Sequence, residues 1–164
     1  MFRDMRRKRQ QLPQEEAETI LREGTSGVLS LLGDDGYPYG VPLSYVYAQG
    51  HLYFHCATEG HKLDAIRREP KASFCVIGQD EVLPEAFTTA YRSVIVFGRV
   101  KLLEEESAIC QAIETLSLRY APQTTHLEKE IRENWNRFLM LEMTVEHMTG
   151  KEGRELAKQR WAKP

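Results

Sequence analysis

The 164-residue chain has three cysteines, an odd number with no Cys-x-x-Cys pair. Cys56, Cys75 and Cys110 do not form a disulfide framework or a paired metal-ligand motif; they fit free thiols in a reducing cytoplasm. Nowhere does an apolar run approach the ~20 residues that a membrane-spanning helix needs. The basic opening Arg3, Arg6, Arg7, Lys8 and Arg9 has no apolar segment behind it, so it does not read as a secretory signal. It reads as a solvated arm, with an anionic surface as the alternative partner. Gly-x-Gly-x-x-Gly and Gly-x-x-x-x-Gly-Lys-Ser/Thr are both missing, which removes the usual dinucleotide and P-loop readings. There is no basic excess either. Lys and Arg number 22 against 24 Asp and Glu, a formal charge of -2, which argues against a general nucleic-acid binder.

What remains is an ordinary globular composition, 41% hydrophobic and 28% charged, in a chain long enough for one domain with a real core. Gln14–Arg22 carries Ala17, Ile20 and Leu21 on one side behind Pro13, the pattern of a helix start. Gly27–Leu32 and Tyr39–Tyr47 flank Gly33-Asp34-Asp35-Gly36, a strong hairpin signal. Pro42 cannot donate to a ladder and marks a bulge or an unpaired position. Gln49-Gly50 turns the chain into a third strand, His51–His55. A short helix through Leu63–Arg68 stops at Glu69-Pro70, and Lys71–Ile77 is the next strand, with Cys75 expected as a small core hydrophobe. Gly78–Pro84 reads as a polar loop, and Ala90–Leu103 as a long strand bent at Gly98. Glu104–Tyr120 is an amphipathic helix, Leu127–Trp135 a second, and Phe138–Val145 a last strand. From His147 the chain reads as polar. Short antiparallel hairpins followed by a helix pair suggest a closed or nearly closed barrel with helices outside.

The chemistry concentrates at His55-Cys56-Ala57-Thr58-Glu59-Gly60-His61-Lys62. A strand ends there, a glycine turn follows, and two potential cations open a helix whose first N–H groups have no partner within it. That arrangement suits a phosphate or another anion; a solvated turn with a surface lysine is the alternative. His55, His61 and Cys56 do not form a recognisable zinc set, and no metal is expected. Cys56 sits where basic neighbours lower a thiol pKa, but His55, adjacent on a strand, points to the opposite face. Ser44, Arg92 and Ser93 interrupt apolar strands, either as solvent-facing alternates or as pocket donors. The aromatics Tyr37, Tyr39, Tyr45, Tyr47, Tyr53 and Phe54 either wall a planar ligand or fill core and rim.

Three segments in order, Gly33-Asp34-Asp35-Gly36-Tyr37-Pro38-Tyr39-Gly40-Val41-Pro42-Leu43-Ser44-Tyr45, Tyr53 to Lys62, and Arg92-Ser93-Val94-Ile95-Val96-Phe97-Gly98, resemble the nitroimidazole-resistance branch of the pyridoxamine 5′-phosphate oxidase-like flavoproteins. The opening Met1-Phe2-Arg3-Asp4-Met5-Arg6-Arg7 and the closing Met148-Thr149-Gly150-Lys151 resemble it too. The resemblance implies a mainly β (α+β) fold, a six-stranded antiparallel split β-barrel with flanking helices over residues 1–150, and a polar tail over 151–164. It implies a homodimer with FMN, or FAD as in some relatives, at the subunit interface, and the cysteine usage places it in the cytoplasm. By position, His61 and Lys62 match the basic pair on the flavin phosphate, and His55 and Cys56 the strand end along the flavin. Val41, Pro42, Leu43, Ser44 and Tyr45 match the strand whose backbone faces the ring, and Arg92 and Ser93 a strand of the same site. His61 stands where better-known oxidases have arginine, so the phosphate hold should be weaker and pH-dependent. The basic C-terminal segment that holds pyridoxamine phosphate in the true oxidases is missing. The activity implied is reduction of a small electrophile such as a nitroaromatic, with His55 as the catalytic candidate. The alternative is a non-catalytic flavin-binding or flavin-sequestering dimer.

Overall fold

The computed structural model describes residues 2–123 and 125–162. Met1 of the opening motif, Thr124, and Lys163 and Pro164 of the tail lie outside the described residues. In chain order the elements are α1 (Gln14–Glu23), β1 (Ser26–Leu32), β2 (Pro38–Ser44), β3 (Val46–Ala48), β4 (His51–Cys56), α2 (His61–Arg68), β5 (Lys71–Leu83), β6 (Thr88–Leu102), α3 (Glu106–Tyr120), α4 (Leu127–Asn134), β7 (Leu139–Glu152) and α5 (Arg154–Trp161).

All the strand pairs are antiparallel, and the strand order is β2-β1-β5-β6-β7-β4-β3. The two ends of that order, β2 and β3, are consecutive in the chain with only Tyr45 between them. The sheet must therefore curl until its edges meet at Tyr45, which makes a barrel. This is the expected split barrel with flanking helices. The strand count is seven rather than six because the segment read as one strand, Tyr39–Tyr47, breaks at Tyr45 and pairs with β1 on one side of the break and with β4 on the other.

Local chemistry explains most of the rest. Gln49 and Gly50 both have positive φ (51° and 79°), the backbone that a two-residue hairpin between Ala48 and His51 demands. Gly98 sits at a register shift between β6 and β7, where a Cβ would collide with the Thr144 carbonyl. Pro42 produces no bulge. It pairs in register with Val28 and is tolerated because β2 is an edge strand. Gly78–Pro84 is not a loop: β5 runs on to Leu83, paired with β6 as far as Thr88 after one register shift. The last strand likewise continues past Val145 to Glu152, and the polar tail contains α5.

One face of the strands looks inward. Leu29, Phe54, Phe74, Val94, Val96, Leu141 and Met143 fill the barrel, joined by Ala17 and Leu21 of α1 and Leu63, Ala65 and Ile66 of α2. A second cluster, Val46, Leu103, Ala112, Leu116 and Met140, packs α3 against the outside of the wall. The alternate residues of β1, β5 and β6 face outward. Cross-strand pairing sets Pro42, Val28, Cys75, Ile95 and Thr149 in one row. Cys75 is thus on the outer face and half-buried, not in the core, because strand alternation and not local hydrophobicity decides its side.

Candidate functional site

At the α2 start, Gly60 has a φ of 131° and open space where a side chain would stand. Only glycine takes this backbone without strain. His61 and Lys62 follow. The His61 ring stacks on Tyr39 with centroids 4.2 Å apart, and its Nε2 lies 3.3 Å from the Asp34 carboxylate. Arg68, two turns further along α2, donates to the same carboxylate at 3.0 Å and to the Leu32 carbonyl at 3.0 Å. The β1–β2 turn is therefore tied to α2 through Asp34, and one of the two expected anion-binding cations already faces an internal anion. Among the described residues Lys62 makes no ion pair; its charge acts on the Cys56 thiol. Burial pushes that thiol up, and the Lys62 charge pulls it partly back. Cys56 faces inward and is buried, whereas His55 beside it is exposed on the other face of β4.

His55 meets Ser44 across the barrel's seam. Pairing of β3 with β4 ends at Val46 and Tyr53; the same register continued by two residues would set Ser44 opposite His55. Instead the strand breaks at Tyr45. The Tyr120 hydroxyl, from the end of α3, accepts the Tyr45 N–H at 3.1 Å and reaches its carbonyl at 2.9 Å and that of Thr25. A cavity of about 320 Å³ lies at this opening, lined by Ser44, His55, Ile113, Leu116, Ser117 and Tyr120.

The remaining expected positions separate. Val41 and Leu43 face inward and are half-buried; Pro42 and Ser44 face outward and are exposed. The Tyr45 side chain is fully buried, edge-on to Phe74 at 4.9 Å, and its hydroxyl donates to the Leu21 carbonyl at 2.8 Å, an acceptor left over at the end of α1. Burial, with the nearby Tyr120 hydroxyl adding to it, holds the Tyr45 phenol well above its ordinary pKa. Arg92 turns to Glu152, which is completely buried and also receives the Arg160 Nε at 2.6 Å. Ser93 lies on the opposite face, paired with Ile77 and Lys151.

Asp34, Ser117, Tyr120 and Glu152 are the participants that sequence reasoning missed. Asp34 looks like a turn residue because it is one. Tyr120 and Ser117 look like the polar side of a helix. Glu152 falls in a polar stretch, and nothing in its neighbours marks it as buried.

The sequence profile of the pyridoxamine 5′-phosphate oxidase family matches residues 13–152. The chain belongs to this family. No curated protein matches it. Among solved structures, this member of the pyridoxamine 5′-phosphate oxidase family is similar to a candidate 5-nitroimidazole antibiotic resistance protein from Bacteroides thetaiotaomicron (20% identity, 87% of this chain and 86% of that one, TM-score 0.73). It is also similar to a conserved hypothetical protein from Mycobacterium tuberculosis (19%, 93% and 92%, TM-score 0.79). A third is an FAD-binding protein from Mesorhizobium loti (26%, 87% and 94%, TM-score 0.63). The seam, the α2 start and the inward strands all fall within the matched residues. Among the described residues no helix is long and apolar enough to cross a membrane.

Proposed function

We propose that the protein is a flavin-dependent oxidoreductase that takes FMN, with FAD as the alternative ligand, and reduces a small electrophile of the nitroaromatic kind. The observation that carries this reading is the α2 start. There Lys62, which makes no ion pair among the described residues, and His61 open the helix beside the open space at Gly60, and their N–H groups are the ones left over once those of Leu63 and Asp64 turn back to the Gly60 carbonyl. That donor set suits a phosphate ester. Family membership and the FAD-binding relative from Mesorhizobium loti support the choice of a flavin.

A bound flavin would supply the electron transfer. The chain's own residues bind, orient and move protons. Lys62 and His61 hold the phosphate, and the β2 backbone from Val41 to Ser44 aligns the ring. His55, exposed at the end of β4, is the group placed to deliver a proton to an acceptor at the seam. The dimer belongs to the same reading. Val28, Ile77, Ile95 and Phe97 are exposed on the outer sheet face, a patch suited to a second copy of this chain.

The test is an absorbance spectrum, from ~300 to ~550 nm, of the chain mixed with FMN, beside Lys62→Ala. A shifted flavin band that weakens in the variant is expected, since one charge-assisted contact is worth roughly 1.5–3 kcal/mol. No shift with folded protein refutes the reading. His55→Ala should keep the flavin and lose turnover; normal turnover removes His55 from the chemistry.

A further inference from the structure

We infer that the cavity between the two ends of the chain binds a small phosphate ester, at an anion site separate from the α2 start.

The two ends meet at the far end of β7. Pairing of β7 with β4 stops at Thr144, so the rest of that edge is open. The segment before α1 lies along it: Gln11 bridges Lys151, and Leu12 donates its N–H to the Gly150 carbonyl at 3.0 Å. α5 then returns over the same segment. Trp161 Nε1 donates to the Arg9 carbonyl at 3.1 Å, and Arg160 Nη2 to the Gln11 carbonyl at 2.9 Å. A cavity of about 390 Å³ is enclosed, with Lys8 on one side, Arg160 on the other, and Gly150 in the wall. Among the described residues no aspartate or glutamate lines it.

Arg160 is fixed before any ligand arrives. Its Nε donates to Glu152 at 2.6 Å, its Nη2 is held by Gln11, and its guanidinium lies over the Trp161 ring at 5.4 Å. Its Nη1 group makes no hydrogen bond among the described residues. Glu152 is completely buried but does not cancel this charge, because Arg92 draws on the same carboxylate at 3.5 Å. One positive charge is left over in the trio. Lys8 adds a second; its partner Asp4 is 3.7 Å away and the pair is too exposed to hold it. The backbone contributes as well. In an antiparallel strand the N–H and C=O of one residue point to the same side. The Gly150 carbonyl faces the N-terminal segment, so its N–H does too, and no acceptor on that segment takes it. A buried N–H in that position calls for a partner.

A fixed arginine fork, a lysine and a backbone N–H are all donors. A phosphate, with two charges and three acceptor oxygens, answers them better than a carboxylate. The volume is at the small end of ligand pockets, so the ester carries a short organic group.

Glycerol 3-phosphate, inorganic phosphate and acetate test this. Each is titrated into the full chain at about pH 7.5, where a phosphate ester carries close to two charges, and backbone amide shifts are followed by NMR. Glycerol 3-phosphate should shift the amides of Leu12 and Gly150 and bind at least about tenfold tighter than acetate. Inorganic phosphate should bind the same place more weakly, since it leaves the cavity part-filled. Arg160→Lys keeps a charge for Glu152 and loses the fork; it should weaken the ester about tenfold. Lys8→Gln, at a side chain that is 76% exposed and so safe for folding, should weaken it about fivefold. Acetate binding as tightly as the ester, or ester affinity unchanged in Lys8→Gln, overturns the site. Inorganic phosphate binding as tightly as the ester overturns the organic group. The same titration in Lys62→Ala separates this site from the proposed flavin seat. Gly150 shifts that persist there sustain it, and shifts confined to His61 and its neighbours remove it while leaving the flavin reading intact.

Discussion

Replacing Asp34 by asparagine should make the protein bind FMN more tightly, an unusual direction for removing a charged residue from a binding region. Asp34 faces His61 at 3.3 Å and Arg68 at 3.0 Å, and it is 66% exposed. A phosphate seated on His61 and Lys62 would come within roughly 5 Å of this carboxylate. Two negative charges against one at that distance in a water-like dielectric repel by about 1.7 kcal/mol, which physiological salt reduces to about 1 kcal/mol. The exposed Asp34–His61 pair itself contributes no more than about that amount. The His61 ring keeps its place because it also stacks on Tyr39. Asp34→Asn should therefore lower the FMN Kd by roughly fivefold. The assay is flavin fluorescence quenching at about pH 7.5, where the phosphate ester carries close to two negative charges. Riboflavin, which lacks the phosphate, is the control and should not change. At 1 M salt the gain should shrink, since the screening length falls to about 3 Å. Weaker or unchanged FMN binding, or an equal gain for riboflavin, refutes a phosphate beside Asp34.

Three further outcomes follow from other parts of the molecule. Glu152→Gln leaves Arg160 and Arg92 without their shared counter-charge; both guanidinia keep some solvent, so the loss should be about 2–3 kcal/mol, below the full range for a broken buried pair, and a urea midpoint within error of wild type would refute it. Tyr45→Phe should cost about 1 kcal/mol at neutral pH by orphaning the Leu21 carbonyl. The folded state holds the Tyr45 proton above the ordinary value of 10.0, so wild-type stability should fall as pH rises past about 10, where the unfolded chain releases it; denaturant melts should show this alkaline slope flattened in the variant. Ile95→Glu puts a charge in the middle of the outward row of Pro42, Val28, Cys75 and Thr149. It should sediment as a folded monomer, and an unchanged dimer would move the interface elsewhere.

The barrel was legible because its signals are local. The Gln49-Gly50 turn, the alternation in Ser93–Phe97 and the break at Glu69-Pro70 each act over a few residues, and each appears where the pattern puts it. Two errors share one cause. The polar run at Gly78–Leu83 and the polar end of β7 become strand because β6 pairs with both along its length. Backbone pairing with the neighbouring strand overrides composition, since the β5 extension stays largely exposed, and that pairing is a property of the assembled sheet. The misplacement of Cys75 is the converse: an apolar stretch does not say which of its residues faces in, and only the row Val28–Cys75–Ile95 decides it.

The site was legible in its cations and illegible in its anions. His61 and Lys62 stand out in sequence because they open a helix after a glycine, whereas Asp34 is 27 positions away and joins them only when the β1–β2 turn folds against α2. The two cations are therefore not equivalent. His61 has a carboxylate partner and a ring to stack on, so its energy is already partly spent inside the protein. Lys62 has neither, and the thiol it acts on stays neutral because burial outweighs its charge. On the proposed reading, an arriving phosphate would gain most from the charge that has least to give up. Affinity should then depend more steeply on Lys62 than on His61, even though histidine is the residue that departs from the arginine of better-known oxidases. A His61→Arg exchange would not restore a strong phosphate hold while Asp34 remains, because the new guanidinium would close on the same carboxylate, and only the double change with Asp34→Asn would release it.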